Sequence, residues 1–180
     1  MVANKIKSAI FDEMVTNDGR SVKDLSEEKA VMLVFLRHFG CIFCREALAD
    51  IAKQREKIEG LGSKIVFVHM TNNVVAERYF NRYELENALH VSDPTCKFYA
   101  HLGLVKGNFT QLFGLQSWIR GFSATVLDGI PVGLQQLGDG FQMPGIFVIQ
   151  DGEIKDSFIH KLASDRPNYE KLVKHCCEVK

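Results

Sequence analysis

The sequence predicts an α/β fold, a mixed central sheet with helices on both faces. Three observations carry that prediction. Short apolar runs alternate with helix-period segments between residues 31 and 103. An Asp-Gly turn separates two strand-like runs near the C-terminus. A pair of cysteines, Cys41 and Cys44, stands where the first apolar run turns into a helix.

Taken in order, the first thirty residues read as a loop-rich lead-in with a turn at Asn17-Asp18-Gly19-Arg20. The weak alternation of Ser21–Ser26 suggests a short strand. Val31–Leu36 is a buried strand. Ala47, Leu48, Ile51, Ala52 and Ile58 recur at helix spacing, giving a helix that ends near Gly60-Leu61-Gly62. Lys64–Met70 is apolar and β-branched, as expected of a parallel strand covered on both faces. Thr71-Asn72-Asn73 starts a helix that turns Val74, Val75, Tyr79, Phe80 and Tyr83 inward. Ala88–Val91 is a third short strand. Ser92-Asp93-Pro94 opens a short helix carrying Phe98, Tyr99 and Leu102 and ending at Gly103. Phe109 to Phe122 suggests a helix, followed by a Gly-rich loop to Met143. Gly145–Ile149 and Ile154–Ile159 form a hairpin about Gln150-Asp151-Gly152-Glu153. A last helix begins around Asp165-Arg166-Pro167, with Tyr169, Leu172, Val173 and Cys176 on its apolar face.

The cysteine pair is where chemistry is expected. Gly40 permits the tight turn, so Cys41 falls at the helix N-terminus with Cys44 one turn in. The first amides of a helix lack intrahelical partners and the dipole is positive there, so a Cys41 thiolate would be stabilised. The thiolate is the nucleophile. Cys44 is close enough to attack a mixed disulfide at Cys41 and close an intramolecular one. Cys41 is thus expected to attack and Cys44 to resolve.

The bulk properties narrow the context. A chain of 180 residues suits one domain. Formal net charge is zero, which favours neither nucleic acid nor a membrane surface as partner. The apolar runs are too short to span a bilayer. Met1–Lys7 has no signal-peptide core, so a cytoplasmic location is expected. Five cysteines is an odd count, which argues against a framework of structural disulfides.

Four segments together resemble the thioredoxin-like superfamily and, within it, the peroxiredoxin-like branch of the AhpC/TSA antioxidant family. They are Arg37–Glu46, Ser92-Asp93-Pro94 with Tyr99–Leu104, Gly138–Gly145, and Ile159-His160 through Tyr169. The resemblance implies a thioredoxin-like fold with an insertion before the C-terminal hairpin. It also implies that Pro144 has a cis peptide bond, which would set the Met143 backbone beside Cys41, ready for an incoming extended peptide. Family peroxidases carry a Pro and a Thr in the pattern PxxxTxxC and an Arg near the following hairpin. Counted back from Cys41, the Pro and Thr positions hold Val34 and His38; counted back from Cys44, they hold Arg37 and Cys41. No Arg occurs between Gly121 and Gly145. Arg37, His38 or Arg45 would have to substitute. Thiol–disulfide exchange therefore leads, hydroperoxide reduction is the alternative, and a redox-switched binding scaffold without turnover is the third reading.

No metal or organic cofactor is expected. A zinc site would need a second ligand pair, and the adjacent Cys176 and Cys177 point about 100° apart on a helix. Cys96 and Cys176 read as packing and Cys177 as surface. His38 as an imidazolium, and Arg45, would favour a Cys41 thiolate; Glu46 would oppose it. His69, His90, His101 and His160 read as structural histidines, and Asp139 as either a turn former or a site neighbour. The aromatic segment 109–122 is core, a substrate groove or a homodimer face. The expected partners are a thiol or disulfide substrate and a thioredoxin- or glutathione-type electron donor.

Overall fold

The computed structural model describes residues 9–107, 138–162 and 165–177. The sheet has five strands in the order β3-β2-β1-β4-β5. These are β1 (Ala30–Phe35), β2 (Ser63–His69), β3 (Leu89–Ser92), β4 (Gly145–Gln150) and β5 (Glu153–Ile159). β1, β2 and β3 run parallel, whereas β4 is antiparallel to β1 and to β5. The parallel pairs need crossovers. α3 (Ile42–Gly60) makes the first and α4 (Asn73–Arg82) the second.

β1 is buried at every position because both faces are covered. Its alternate residues go to two separate cores, as the pleat requires. Met32 and Val34 join Leu48, Ile51, Phe39, Tyr79 and Phe80 under α3, α4 and α6 (Tyr169–Cys177). Val31, Leu33 and Phe35 join Phe11, Met14, Leu25 and Tyr99 under α1 (Ala9–Glu13), α2 (Val22–Glu28) and α5 (Lys97–His101).

The hairpin forms as its turn signal predicts. Asp151 and Gly152 both have positive φ, 52° and 71°, the signature of a type I′ turn. Ser26 clasps that turn, its carbonyl accepting from Asp151 N–H and its Oγ from Gly152 N–H. A Cβ at Gly145 would lie 2.6 Å from Leu104 Cδ2, so a side chain there would make the Leu104 side chain shift.

Several local expectations are corrected. Residues 22–28 are helix, not strand. Ser21 caps them by accepting the Asp24 N–H at 3.0 Å, and Val22, Leu25 and Ser26 share the buried side. Val74 is 60% exposed; α4 instead buries Val75, Ala76, Tyr79 and Phe80. The helix expected at Pro94 starts only at Lys97, because the Asp93 carboxylate accepts the N–H groups of Lys97 and Phe98 at 2.9 and 2.7 Å. The Met143–Pro144 peptide is trans, with no cis bond among the described residues. The helix expected over Phe109–Phe122 lies outside the described residues.

Candidate functional site

The site sits past the C-terminal end of β1, at the point where β2 continues the sheet on one side and β4 on the other. Open α/β sheets place their chemistry at such a crevice. The loop Leu36–Gly40 is anchored from below. The buried Tyr99 hydroxyl lies 2.6 Å from the Leu36 carbonyl and 3.0 Å from that of Val68, and Leu36 N–H donates to Val68 O at 2.9 Å.

Cys41 is the N-cap residue of α3 in extended backbone conformation, as its position after Gly40 predicts. Its side chain makes no capping hydrogen bond to the helix amides. The Sγ instead receives Arg37 Nη1 at 3.4 Å. Arg37 is 1% exposed. Its Nε donates to the Gln142 carbonyl at 3.1 Å and its Nη2 to the Gly140 carbonyl. Among the described residues its partners are these two carbonyls and the sulfur, with no carboxylate in ion-pair contact. A buried cation is costly unless an anion or full hydrogen bonding compensates it. The group across from it that can become an anion is the Cys41 thiol.

Cys44 lies one turn further along α3 and is buried. Its Sγ faces the Arg37 carbonyl at 3.9 Å. Burial, and after it the neighbouring Cys41, push the Cys44 thiol well above its ordinary range. The two sulfurs are free thiols in contrasting surroundings, one beside a guanidinium and one in an apolar wall. Beneath Cys44 is a cavity of about 40 Å³ lined by Arg37, Phe43, Cys44, Pro144, His160 and Tyr169 among others. That is room for a few water-sized groups. Across its rim Arg166 bridges Glu46 at 2.5 Å and Asp50 at 2.6 Å.

The other site candidates fall in different places. His38 is buried beside the cysteine loop, with Nε2 unpartnered among the described residues and Gly140 packed against the ring. Burial first, and then Arg37, push its pKa down to about 4, against the opposing pull of Asp139. At neutral pH it is therefore an uncharged imidazole, and the cation facing Cys41 is Arg37. Arg45 turns away, its Nε donating to the Tyr83 hydroxyl at 2.6 Å. Glu46 is taken by Arg166. Met143 is buried, and its N–H donates to the Val105 carbonyl at 3.3 Å, so that amide is not open to an incoming strand. Pro144 lines the cavity from the Cys44 side. Asp139 pairs with Lys106 at 2.7 Å and accepts the Phe141 N–H as a turn former does, and it also lies near enough to His38 to act on its charge, so both roles read for it have a basis here.

Sequence reasoning underweighted three residues. Arg37 entered only as a substitute for a missing arginine, although a charged residue ending an apolar strand just before the cysteines was a usable signal. Tyr99 and Gln142 act through tertiary contacts that no local pattern shows. Gln142 is buried, and its Nε2 donates to the Leu104 carbonyl at 2.8 Å, which fixes the backbone that holds Arg37. Among the described residues no group of three or more His, Cys, Asp or Glu is placed to hold a metal ion, and no helix is long and apolar enough to cross a membrane.

Known proteins share the sequence family and the fold. The model of the AhpC/TSA family matches residues 8–157. The chain is 26% identical over 164 residues to the thioredoxin-like protein AAED1, chloroplastic, of Arabidopsis thaliana, covering 87% of this chain and 65% of that protein. It is 25% identical over 177 residues to prostamide/prostaglandin F synthase of Danio rerio, covering 96% of this chain and 84% of that one. Among solved structures it superposes on peroxidoxin BcpB from Mycobacterium tuberculosis with a TM-score of 0.63 at 13% identity, covering 93% and 92% of the two chains. The fold is thioredoxin-like, with an insertion before the C-terminal hairpin.

Proposed function

This chain belongs to the AhpC/TSA family, and we propose that within it the protein is a thiol–disulfide oxidoreductase using Cys41 as nucleophile and Cys44 as resolving thiol. The carrying observation is the buried Arg37 guanidinium, held by two carbonyls and aimed at Cys41 Sγ at 3.4 Å. A thiolate there completes a charge pair in a low-dielectric site, where such a contact is stronger than in water. The Cys44 thiol, held protonated by burial, does not compete for the first attack. The two sulfurs thus have different tasks without different chemistry.

In the exchange, the Cys41 thiolate attacks one sulfur of a disulfide and the other leaves as a thiolate. Cys44 then attacks the mixed disulfide at Cys41, the second substrate thiol leaves, and the protein ends as a Cys41–Cys44 disulfide. The substrate gains two electrons and the protein loses them. A thioredoxin- or glutathione-type thiol returns them.

Hydroperoxide reduction is a second reading, and the same guanidinium favours it. Attack of the Cys41 thiolate on a peroxide O–O bond would give a sulfenic acid and an alcohol, after which Cys44 would close the disulfide and release water. Arg37 would then stand in, from the β1–α3 loop, for the hairpin arginine this chain lacks.

The separating experiment measures disulfide reduction and hydroperoxide consumption side by side. Wild type should reduce disulfides faster than hydroperoxides. Cys41→Ser should lose both, and Cys44→Ser should accumulate mixed disulfides. An active Cys41→Ser variant would overturn the assignment of roles, and peroxide turnover outrunning disulfide exchange would put the second reading first.

A further inference from the structure

The asymmetry between the two thiols leaves one step without a base. Burial keeps Cys44 protonated, yet closing the disulfide requires its thiolate. Arg37 is committed to the Cys41 sulfur. A proton acceptor has to reach Cys44 from its own side of the loop.

That side is the cavity of about 40 Å³, and His160 lines it together with Cys44. The imidazole follows the last residue of β5 and meets the Phe158 ring edge-on at 5.0 Å. Its Nδ1 is buried and has no hydrogen-bond partner among the described residues. A ring nitrogen shielded from solvent and without a hydrogen-bond partner, on a residue that lines the same hollow as Cys44, differs from the satisfied structural histidine that the sequence suggests. The surrounding loop is pinned, since Asp165 Oδ2 accepts the N–H groups of Lys161 and Leu162, each at 2.8 Å.

We propose that His160 takes the Cys44 proton when the disulfide closes, across the cavity the two residues share. This rests on the dithiol reading above. With a mixed disulfide on Cys41, the Cys44 S–H proton passes to His160 Nδ1, directly or through a water in the hollow. The Cys44 thiolate attacks Cys41 Sγ, the Cys41–Cys44 bond forms, and the bond from Cys41 to the substrate sulfur breaks. The imidazolium then gives its proton to the departing thiolate or, where that sulfur stays ionised, to water. Atoms, charge and the two transferred electrons balance, and no further reagent enters.

The groups bearing on His160 come from every element around it. Burial dominates and holds the ring neutral, and Arg37 from the β1–α3 loop acts in the same direction. Asp165 and the carbonyls of Pro144 and Asp165 oppose it. Glu46 and Asp50 of α3 face the same hollow but are engaged by Arg166, and Tyr169 of α6 closes it. Burial also raises the Tyr169 hydroxyl beyond the range in which it could exchange a proton near neutrality. The imidazole is therefore ready to accept a proton at physiological pH, and the closing rate should rise with pH through an inflection below its ordinary 6.5 and then level off.

Stopped-flow reaction of the reduced full chain with a nitrobenzoate disulfide tests this. Its coloured leaving thiolate reports Cys41 attack and then Cys44 closure as two successive releases, identified by their loss in Cys41→Ser and Cys44→Ser. In His160→Gln the first release should keep its wild-type rate. The second should slow by about 10²-fold and lose its inflection. An unchanged second release and pH profile in that variant overturns the proposal. Should His160→Gln not fold, the wild-type profile decides, because a closing rate that climbs with pH through neutrality without levelling off also overturns it. If wild type gives no second release that depends on Cys44, the dithiol reading itself fails and the His160 assignment falls with it.

Discussion

The two faces of the sheet are built from the same strand but finished differently. On the face under α1, α2 and α5, the buried polar side chains of the described residues are engaged. Tyr99 reaches two carbonyls, and Asp93 caps α5 with both carboxylate oxygens. On the face under α3, α4 and α6, apolar side chains surround groups that are not. His69 and His90 meet through Nε2 and Nδ1 at 2.9 Å against Phe39 and Phe80, and each keeps a buried ring nitrogen without a hydrogen-bond partner among the described residues, that of His90 lying 3.8 Å from Glu77 Oε1. His160 and the two thiols belong to the same side. Unsatisfied buried polar groups cost stability, and here they gather where sulfur chemistry is proposed. The first face supports the loop; the second carries groups that can change charge.

The comparison is broken most directly at Arg37. Arg37→Met keeps an unbranched apolar stem but removes the guanidinium and leaves the Gly140 and Gln142 carbonyls without their donor. Exchange by Cys41 should fall by about 10²-fold, the scale of losing one charge-stabilising group at a reaction centre. The equilibrium with a glutathione couple should also shift toward the protein disulfide, because the reduced form loses its thiolate partner. A tenfold change in that constant is about 30 mV for a two-electron couple. If Arg37→Met leaves both rate and potential at wild-type values, the two faces do not differ in the way claimed.

A smaller effect should appear in the pH dependence of stability. Burial pushes His69 down to about 3 and His38 down to about 4, and lowers His90, all from an ordinary 6.5. Below 6.5 the unfolded chain takes up protons that the folded chain refuses. Stability is then full above about pH 6.5 and declines as pH falls, before most carboxylates titrate. Each such histidine contributes a slope of at most about 1.4 kcal/mol per pH unit. Urea unfolding midpoints between pH 7 and 5 measure it, and a flat profile would mean that these rings are not held neutral.

How much of this was legible in the sequence follows from the range of the interactions involved. The hairpin, the cysteine-headed helix and the buried strands announce themselves through periodicity and turn residues, which act over a few positions. Ser21 shows the limit at short range. Its segment alternates weakly enough to pass for a strand, while the cap that decides for helix is one hydrogen bond. The site was half visible. Cys41 and Cys44 follow from spacing. The Arg37 clamp does not, because its two carbonyls lie more than a hundred residues away in sequence, on a loop whose course depends on Gln142 and Leu104. The expected cis bond at Pro144 was carried from the resemblance alone, and the trans peptide found there shows that a shared fold need not bring every local feature with it.

The mildest test belongs to the engaged face. Ser21 Oγ accepts the Asp24 N–H at 3.0 Å at the start of α2, the helix whose Ser26 clasps the β4–β5 turn. Ser21→Ala removes that acceptor. The freed amide is near water and can find a partner there, so the cost should be about 1 kcal/mol of unfolding free energy, the ordinary value of an N-cap. Nothing in the contact touches Arg37, Cys41 or Cys44, so rate and potential should stay at wild-type values while the urea midpoint drops. A Ser21→Ala variant with altered exchange kinetics would tie α2 to the site through the hairpin and dissolve the division between a supporting face and a reacting one.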